Sequence, residues 1–286
     1  GDVYKRQQLI QITGDLGFSN IENFNIYGGL SLASITALVV LGGLKRIAEV
    51  ASYLVPFMGS IYFGAMLIAI VLNINLVIPA FSLIITDAFS GTAIAGGTFF
   101  GVLIYGVRRG AFSNEAGMGT ESLVHGVAKV SNPVKQGLVA MTGPIFDTLI
   151  ICTATALMIL ISGVWETSAS QGVTLTAEAF SSLLGSFGGF VLFACVICFG
   201  LSTIFTYSYY GASCSRFLFG KLGMRFYIYL YIISIFFYSI VPIDIAINIA
   251  DGAFAMMAIP TLVSALWLAP KVMQASKNYF KIIEGR

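Results

Sequence analysis

The 286-residue chain is 57% apolar and 10% charged, with a mean hydropathy of +0.90 and a formal net charge of +2. Soluble domains carry about 25% charged residues, so an ordinary water-soluble domain is excluded. No cluster of Lys and Arg builds the basic groove that nucleic acid requires. A membrane crossing takes ~20 predominantly apolar residues, which leaves room for about seven or eight spans in a single all-α bundle.

Residues 1–7, Gly-Asp-Val-Tyr-Lys-Arg-Gln, resemble neither a cleavable signal nor a helix start and read as a non-native remnant of cloning or assembly. The remainder reads as the C-terminal part of a longer protein, with residues 8–27 an extracytoplasmic loop and 28–286 a membrane bundle. A first span is predicted over 28–44, ended by Gly42-Gly43 and Lys45-Arg46. A second covers 54–72 and is opened by Pro56, a residue suited to a first helical turn. Asn73-Ile74-Asn75 breaks it. Residues 76–89 are apolar but short and contain Pro79, which fits a partial or re-entrant segment.

Next comes a broken span, 96–128. An apolar, glycine-rich run leads into Gly110-Ala111-Phe112-Ser113-Asn114-Glu115-Ala116-Gly117-Met118-Gly119-Thr120. An acid at the bilayer centre costs roughly 2.5–3.5 kcal/mol. Bare backbone at that depth persists only where protein buries it or a cavity takes it. The segment therefore reads as a discontinuous transmembrane helix, the element that forms substrate and ion sites in secondary transporters. Pro133 opens a long helix to residue 165, residues 166–186 read as a loop with room for a short helix, and 187–219 form another long span. An aromatic span over 226–241 and a last one over 243–268, kinked at Pro260, complete the series.

Alternating these spans across a membrane places Lys45, Arg46, Lys129, Lys135, Arg216, Lys221, Arg225, Lys271, Lys277, Lys281 and Arg286 on one side, out of 15 basic residues in all. The opposite loops carry Asp87, Glu166, Glu178 and Asp244. The positive-inside rule then makes the C-terminus cytoplasmic. The four cysteines, Cys152, Cys195, Cys198 and Cys214, lie in apolar runs and read as packing residues. His125 is the single histidine, which excludes a multi-histidine metal site.

Several residues offer chemistry. At the helix break, free backbone amides and carbonyls can hold both ends of a zwitterion. Ser113 and Asn114 add donors and acceptors there, and Phe112 is placed to close over an apolar side chain. Glu115 either serves that site or pairs with Arg108 or Arg109 to stabilise the break. Gly200-Leu201-Ser202-Thr203, with Tyr207 one turn on, presents adjacent hydroxyls that either ligate a small cation or back-bond to their own helix. Asp147, in Pro144-Ile145-Phe146-Asp147-Thr148, is a coupling-ion or proton site or else a helix–helix contact, the contact being favoured. Asn248 and Asp251 read as solvated near an interface. Glu121 and His125, four residues apart, are candidates for a gate pair. The aromatic run 226–238 reads as a lipid-facing belt.

The strings Gly42-Gly43-Leu44-Lys45-Arg46-Ile47-Ala48, Val55-Pro56-Phe57-Met58, Arg109-Gly110-Ala111-Phe112-Ser113-Asn114-Glu115-Ala116-Gly117-Met118-Gly119 and Asn132-Pro133-Val134-Lys135-Gln136-Gly137 resemble the alanine-or-glycine:cation symporter family. Phe146-Asp147-Thr148, Leu201-Ser202-Thr203 and Met257-Ala258-Ile259-Pro260 do so too, and the resemblance extends over about residues 28–281. It implies a leucine-transporter-like fold of two inverted five-helix repeats, here partial and holding core helices four to ten. The Phe-Ser-Asn-Glu helix would be the broken first helix of the second repeat. Phe112, Ser113, Asn114, Thr203 and Tyr207 would contact substrate, and Ser202 and Thr203 would ligate sodium. Tyr207 stands where members of the family carry Trp, and Thr261 where they carry Asn, which leaves the size of the preferred side chain open.

The resulting expectation is sodium-coupled symport of alanine, glycine or a similar small neutral amino acid across a cytoplasmic (inner) membrane by alternating access, one bundle rocking against the rest. No cofactor is expected beyond the coupling ion, and the lipid bilayer is the other partner. The rival readings are proton coupling through Glu115 or Asp147, and an inactive fragment, because alternating access needs both repeats. One His, no paired metal-ligand motif and no Ser/His/Asp set argue against an enzyme.

Overall fold

In a computed structural model of the chain, residues 24–89, 98–170, 172–241, 243–283 and 285 are described; for residues 24, 25, 44, 98, 99, 102, 108, 112, 243, 244, 246 and 247 among them the backbone alone is described. The described residues are helical almost throughout and contain no strand. Four stretches are long and apolar enough to cross a membrane: Lys45–Leu72, Pro133–Ser162, Val173–Tyr238 and Asn248–Ile283. Ile26–Val40 and Ile74–Ala88 are shorter apolar helices. Only helices or closed barrels satisfy backbone polar groups in lipid, and this chain takes the helical solution. It is an integral membrane protein.

The chain divides into two compact units. The first takes in the described residues up to Leu83 together with Ala154–Ala250. It holds α1 (Phe24–Val40), α2 (Gly43–Leu72) and most of α3 (Ile74–Ala88). Val173–Tyr238 is continuous in hydrogen bonding but leaves helical geometry at Gly185 (φ 65°, ψ −162°) and Gly220 (φ 72°, ψ −161°). That region of backbone space is essentially confined to glycine. Three helices result, numbered in chain order after the elements of the second unit: α8 (173–184), α9 (186–219) and α10 (221–238).

α9 is the spine of this unit. Ile204 and Phe205 lie buried against Ala33 and Val40 of α1, Ile47 of α2 and Ile235 of α10. Further along α2, the Tyr62 ring stacks on Phe180 at 5.5 Å and meets Phe199 edge-on at 5.8 Å, while its hydroxyl bonds Thr155 Oγ1 at 2.9 Å. Lipid is as apolar as these side chains, so close packing and such interhelical hydrogen bonds hold the unit together, with little contribution from exclusion of water.

The second unit comprises Ile84–Thr153 and Asp251–Arg286. Its elements are α4 (Thr98–Asn114), α5 (Thr120–His125), most of α6 (Pro133–Ser162) and most of α11 (Ile243–Ile283). The short α7 (Val164–Thr167) comes after α6 and belongs to the first unit. Asn132 caps α6 by accepting a hydrogen bond from the Val134 amide at 2.9 Å, with Pro133 at the first helical position.

Element boundaries depart from the sequence expectation in several places. Residues 24–27, predicted as loop, are the first turn of α1; residues 8–23 lie outside the described part. The turn after the first span comes at residues 41–42, and α2 starts at Gly43, so Pro56 sits inside a 30-residue helix instead of opening one. A proline inside a membrane helix is tolerated because neighbouring groups re-satisfy the freed carbonyl. The helix opened by Pro133 stops at Ser162, where Gly163 turns left-handed at φ 70°. Most of the predicted 166–186 loop is α8: Thr176, Ala179 and Phe180 form one buried face, with Leu183 packing on Ala80, Leu157 and Ile161. α11 runs past residue 268 to Ile283 through both Pro260 and Pro270.

Candidate functional site

The break expected within residues 110–120, at Phe112-Ser113-Asn114-Glu115, is present in the second unit but begins later, since Phe112, Ser113 and Asn114 are still helical. α4 ends at Asn114, and three of the next five residues are left-handed: Glu115 at φ 56°, Gly117 at 81° and Gly119 at 86°. Glycine adopts such angles without cost, whereas a residue with a Cβ gives up roughly 1–2 kcal/mol. Glu115 is the only described non-glycine residue with positive φ. Such outliers cluster at ligand clamps and switch regions because the surroundings must hold them.

Asn114 holds this one. Its Oδ1 accepts a hydrogen bond from the Ala116 amide at 2.9 Å, an Asx turn that satisfies a backbone donor where the helix stops. Its Nδ2 donates to Thr148 Oγ1 at 3.0 Å. Beside it, Ser113 donates to Asp147 Oδ2 at 2.5 Å, with Cys152 Sγ at 3.5 Å from the same hydroxyl. Two consecutive residues of the broken helix are thereby joined to two consecutive residues of α6.

The receiving stretch is unusual in its own right. Ile145–Cys152 is π-helical. A π turn closes i→i+5 bonds, is rare, and is found frequently at functional sites. The extra residue in the turn rotates the side chains beyond it by about 100° relative to a regular helix. Asp147 and Thr148 sit in this turn, half-buried.

On the far side of the break, Gly119 approaches α11. A Cβ built there would lie 2.7 Å from Thr261 Oγ1, so the residue that departs from the family string faces a position where only hydrogen fits without a shift. Thr120 is buried (1% exposed), and its Oγ1 has no hydrogen-bond partner among the described residues. Ser122 Oγ bonds the Gly119 carbonyl at 2.7 Å.

The remaining sequence candidates have other surroundings. Phe112 is in α4 by its backbone, and its side chain lies outside the described part. Arg109 turns back onto Tyr105, donating to its hydroxyl at 3.0 Å with the guanidinium 4.9 Å from the ring centre. His125 meets Gln136 Nε2 through Nδ1 at 2.7 Å, so its observed partner is on α6 and not Glu121. Ser202, Thr203 and Tyr207 belong to the first unit, on α9. Ser202 and Thr203 both donate to the Phe199 carbonyl, at 2.9 and 2.8 Å, which is back-bonding to their own helix. Tyr207 is half-buried beside Tyr210, with ring centres 5.4 Å apart. A hydroxyl that donates its proton keeps two lone pairs, so back-bonding leaves cation ligation open. Among the described residues no group of three His, Cys, Asp or Glu side chains is placed to hold a metal ion. The sequence assigns no site role to Thr148, Cys152 or Gln136; the Asp147-Thr148 step inside a long apolar span is the available signal.

A profile of the sodium:alanine symporter family matches residues 5–285. The chain is 36% identical over 257 residues to the sodium/alanine symporter AgcS of Methanococcus maripaludis, covering 89% of this chain and 56% of that protein. It is 35% identical over 266 residues to the uncharacterized transporter YflA of Bacillus subtilis, covering 90% and 56%. To the probable sodium/glutamine symporter GlnT of Bacillus subtilis it is 34% identical over 269 residues, covering 93% and 56%. The chain therefore spans a little over half the length of these relatives.

Proposed function

Because the chain belongs to the sodium:alanine symporter family, we propose that the whole protein carries a small neutral amino acid, alanine or glycine first, across the cytoplasmic membrane by sodium-coupled symport within a leucine-transporter-like fold. The observation that carries this reading is the break between α4 and α5. Its left-handed residues interrupt the helical hydrogen-bond pattern between Asn114 and Thr120, and in a membrane such an interruption persists only beside protein or a polar cavity. A zwitterion offers backbone amides and carbonyls there both charges they need.

The side chains divide the work. Asn114 spends both ends of its amide on Thr148 and Ala116, so its first task is to fix the break. One N–H and lone pairs remain for substrate. Ser113 donates to Asp147 and keeps its acceptor capacity for an ammonium group. Phe112 is assigned to the substrate's side chain. Ser202 and Thr203 of α9 are assigned to sodium through their unshared lone pairs, and Thr203 and Tyr207 to substrate selection. Sodium drives uptake only if it binds one conformation more tightly than another. The excess of Lys and Arg on alternate loops favours a cytoplasmic C-terminus.

The Ser113–Asp147 bond favours one second reading, in which a proton on the carboxyl replaces sodium as the coupling ion. Uptake of alanine by the full-length protein in proteoliposomes, with and without an inward sodium gradient, decides between them. Sodium-dependent accumulation supports the first. Accumulation that ignores sodium and collapses with a protonophore rejects it in favour of proton coupling, through Asp147 or Glu115.

A further inference from the structure

α11 is longer than the membrane it crosses. Its 41 residues rise about 60 Å, against ~30 Å for a hydrocarbon core. From Asn248 to Trp267 the rise is about 29 Å, which fills that core. Trp267 is exposed and suits the boundary between membrane and water, where tryptophan is enriched. Three residues later stands Pro270. Its ring removes the hydrogen bond to the Leu266 carbonyl, so this is the point beyond the span where the helix bends most readily.

Residues 271–283 then change pattern. At about 100° per residue, Lys271, Gln274, Lys277, Asn278 and Lys281 fall within one sector of about 120°, with no apolar residue among them. The rest of the circumference carries Val272, Met273, Tyr279, Phe280, Ile282 and Ile283, with Ala275 and Ser276 between them. No Asp or Glu occurs from Lys271 to Ile283, and the charges of Glu284 and Arg286 beyond it cancel. This is the composition of a basic amphipathic helix that lies in a membrane surface. Both of its faces are open. The three lysines are exposed, and the apolar side chains range from 42% exposed at Phe280 to 77% at Ile282.

What precedes this helix fixes what covers it. The chain leaves the hydrocarbon at Trp267, so the headgroup layer is the surface next to it, and a bend at Pro270 lays residues 271–283 along that layer. The apolar side then meets the upper acyl chains, while the lysines reach headgroup phosphates on their flexible stems. Three cations unopposed by any acid favour anionic over zwitterionic lipid.

We infer that Lys271–Ile283 is an interfacial helix, hinged at Pro270, that docks on anionic phospholipid headgroups. The docking is separate from the transport reading: it holds whether the coupling ion is sodium or a proton. The test is amide hydrogen exchange, read by mass spectrometry, of the full-length protein in nanodiscs of dioleoyl phosphatidylglycerol or of dioleoyl phosphatidylcholine. In wild type, residues 271–283 should exchange more slowly in phosphatidylglycerol. Lys271→Gln/Lys277→Gln/Lys281→Gln should speed exchange there by up to roughly a hundredfold, at about fivefold per lysine, and leave exchange in phosphatidylcholine unchanged. Lys271→Arg/Lys277→Arg/Lys281→Arg should keep the slow exchange, which separates lost charge from a damaged helix. Phe280→Gln/Ile283→Gln should speed exchange in both lipids. Equal protection of wild type in the two lipids overturns the inference, because a protein surface and not the membrane then covers the apolar side. So does fast exchange in both lipids, or undiminished protection of the glutamine variant in phosphatidylglycerol.

Discussion

Replacing Asn114 tests whether the broken helix is clamped as its geometry indicates. Asn114→Ala removes two hydrogen bonds, from Nδ2 to Thr148 Oγ1 and from the Ala116 amide to Oδ1. The first joins two membrane elements, where such bonds average about 0.6 kcal/mol and reach ~1.7. The second is local and satisfies a backbone donor at the end of a helix, contributing about 1 kcal/mol. The variant should therefore lose about 1.5 kcal/mol of stability. Thr148→Val removes the first bond only and should cost about 0.6 kcal/mol. In the Asn114→Ala background Thr148→Val has nothing left to break, so the double variant should also lose about 1.5 kcal/mol, a coupling of about 0.6. Reversible unfolding of the full-length protein in mixed micelles with increasing dodecyl sulfate measures all four corners of the cycle. Costs that add to within ~0.3 kcal/mol would refute a direct bond between the two side chains. A single Asn114→Ala cost below ~0.5 kcal/mol would refute the Asx turn as a support of the break.

The neighbouring positions and the other unit give three further expectations. Gly119→Ala should cost about 1–2 kcal/mol from its left-handed backbone alone, with a further steric part against Thr261; adding Thr261→Ala should recover only the steric part, as read by the same unfolding assay. Gly220→Ala should cost about 1–3 kcal/mol because φ 72° with ψ −161° excludes a Cβ, and a variant as stable as wild type would show that α9 and α10 do not meet at that angle. Thr203→Ala should raise the sodium concentration for half-maximal alanine uptake by about tenfold or more while leaving the ranking of amino-acid substrates in place; unchanged sodium dependence would remove Thr203 from the ion site.

The membrane character, the all-helical fold and the place of the helix break were legible in the sequence because each is set by local composition. Long apolar runs need the backbone bonded within the segment. The Gly-x-Gly spacing after Asn114-Glu115 cannot continue a helix cheaply. Prolines misled for the same local reason: Pro56 suits a helix start by propensity, yet the surrounding apolar stretch continues helical from Gly43 and the membrane retains it. Residues 173–184 read as loop because Ser, Thr and Glu are frequent there. Their helix is defined by what Phe180 stacks on, a tyrosine more than a hundred residues earlier.

By itself, then, the sequence determined that this chain crosses a membrane as helices, where its helix break falls and which family it resembles. Only the tertiary structure decided the partners: Ser113 with Asp147 and Asn114 with Thr148, each 34 residues apart, and His125 with Gln136 in place of Glu121. The physical reason is register. Asp147 and Thr148 lie inside a π turn over Ile145–Cys152, which departs from the 3.6-residue period, and no local propensity reports that turn. The turn at Gly220 obeys the same rule, since a glycine announces freedom of backbone but only packing fixes the direction in which the chain uses it.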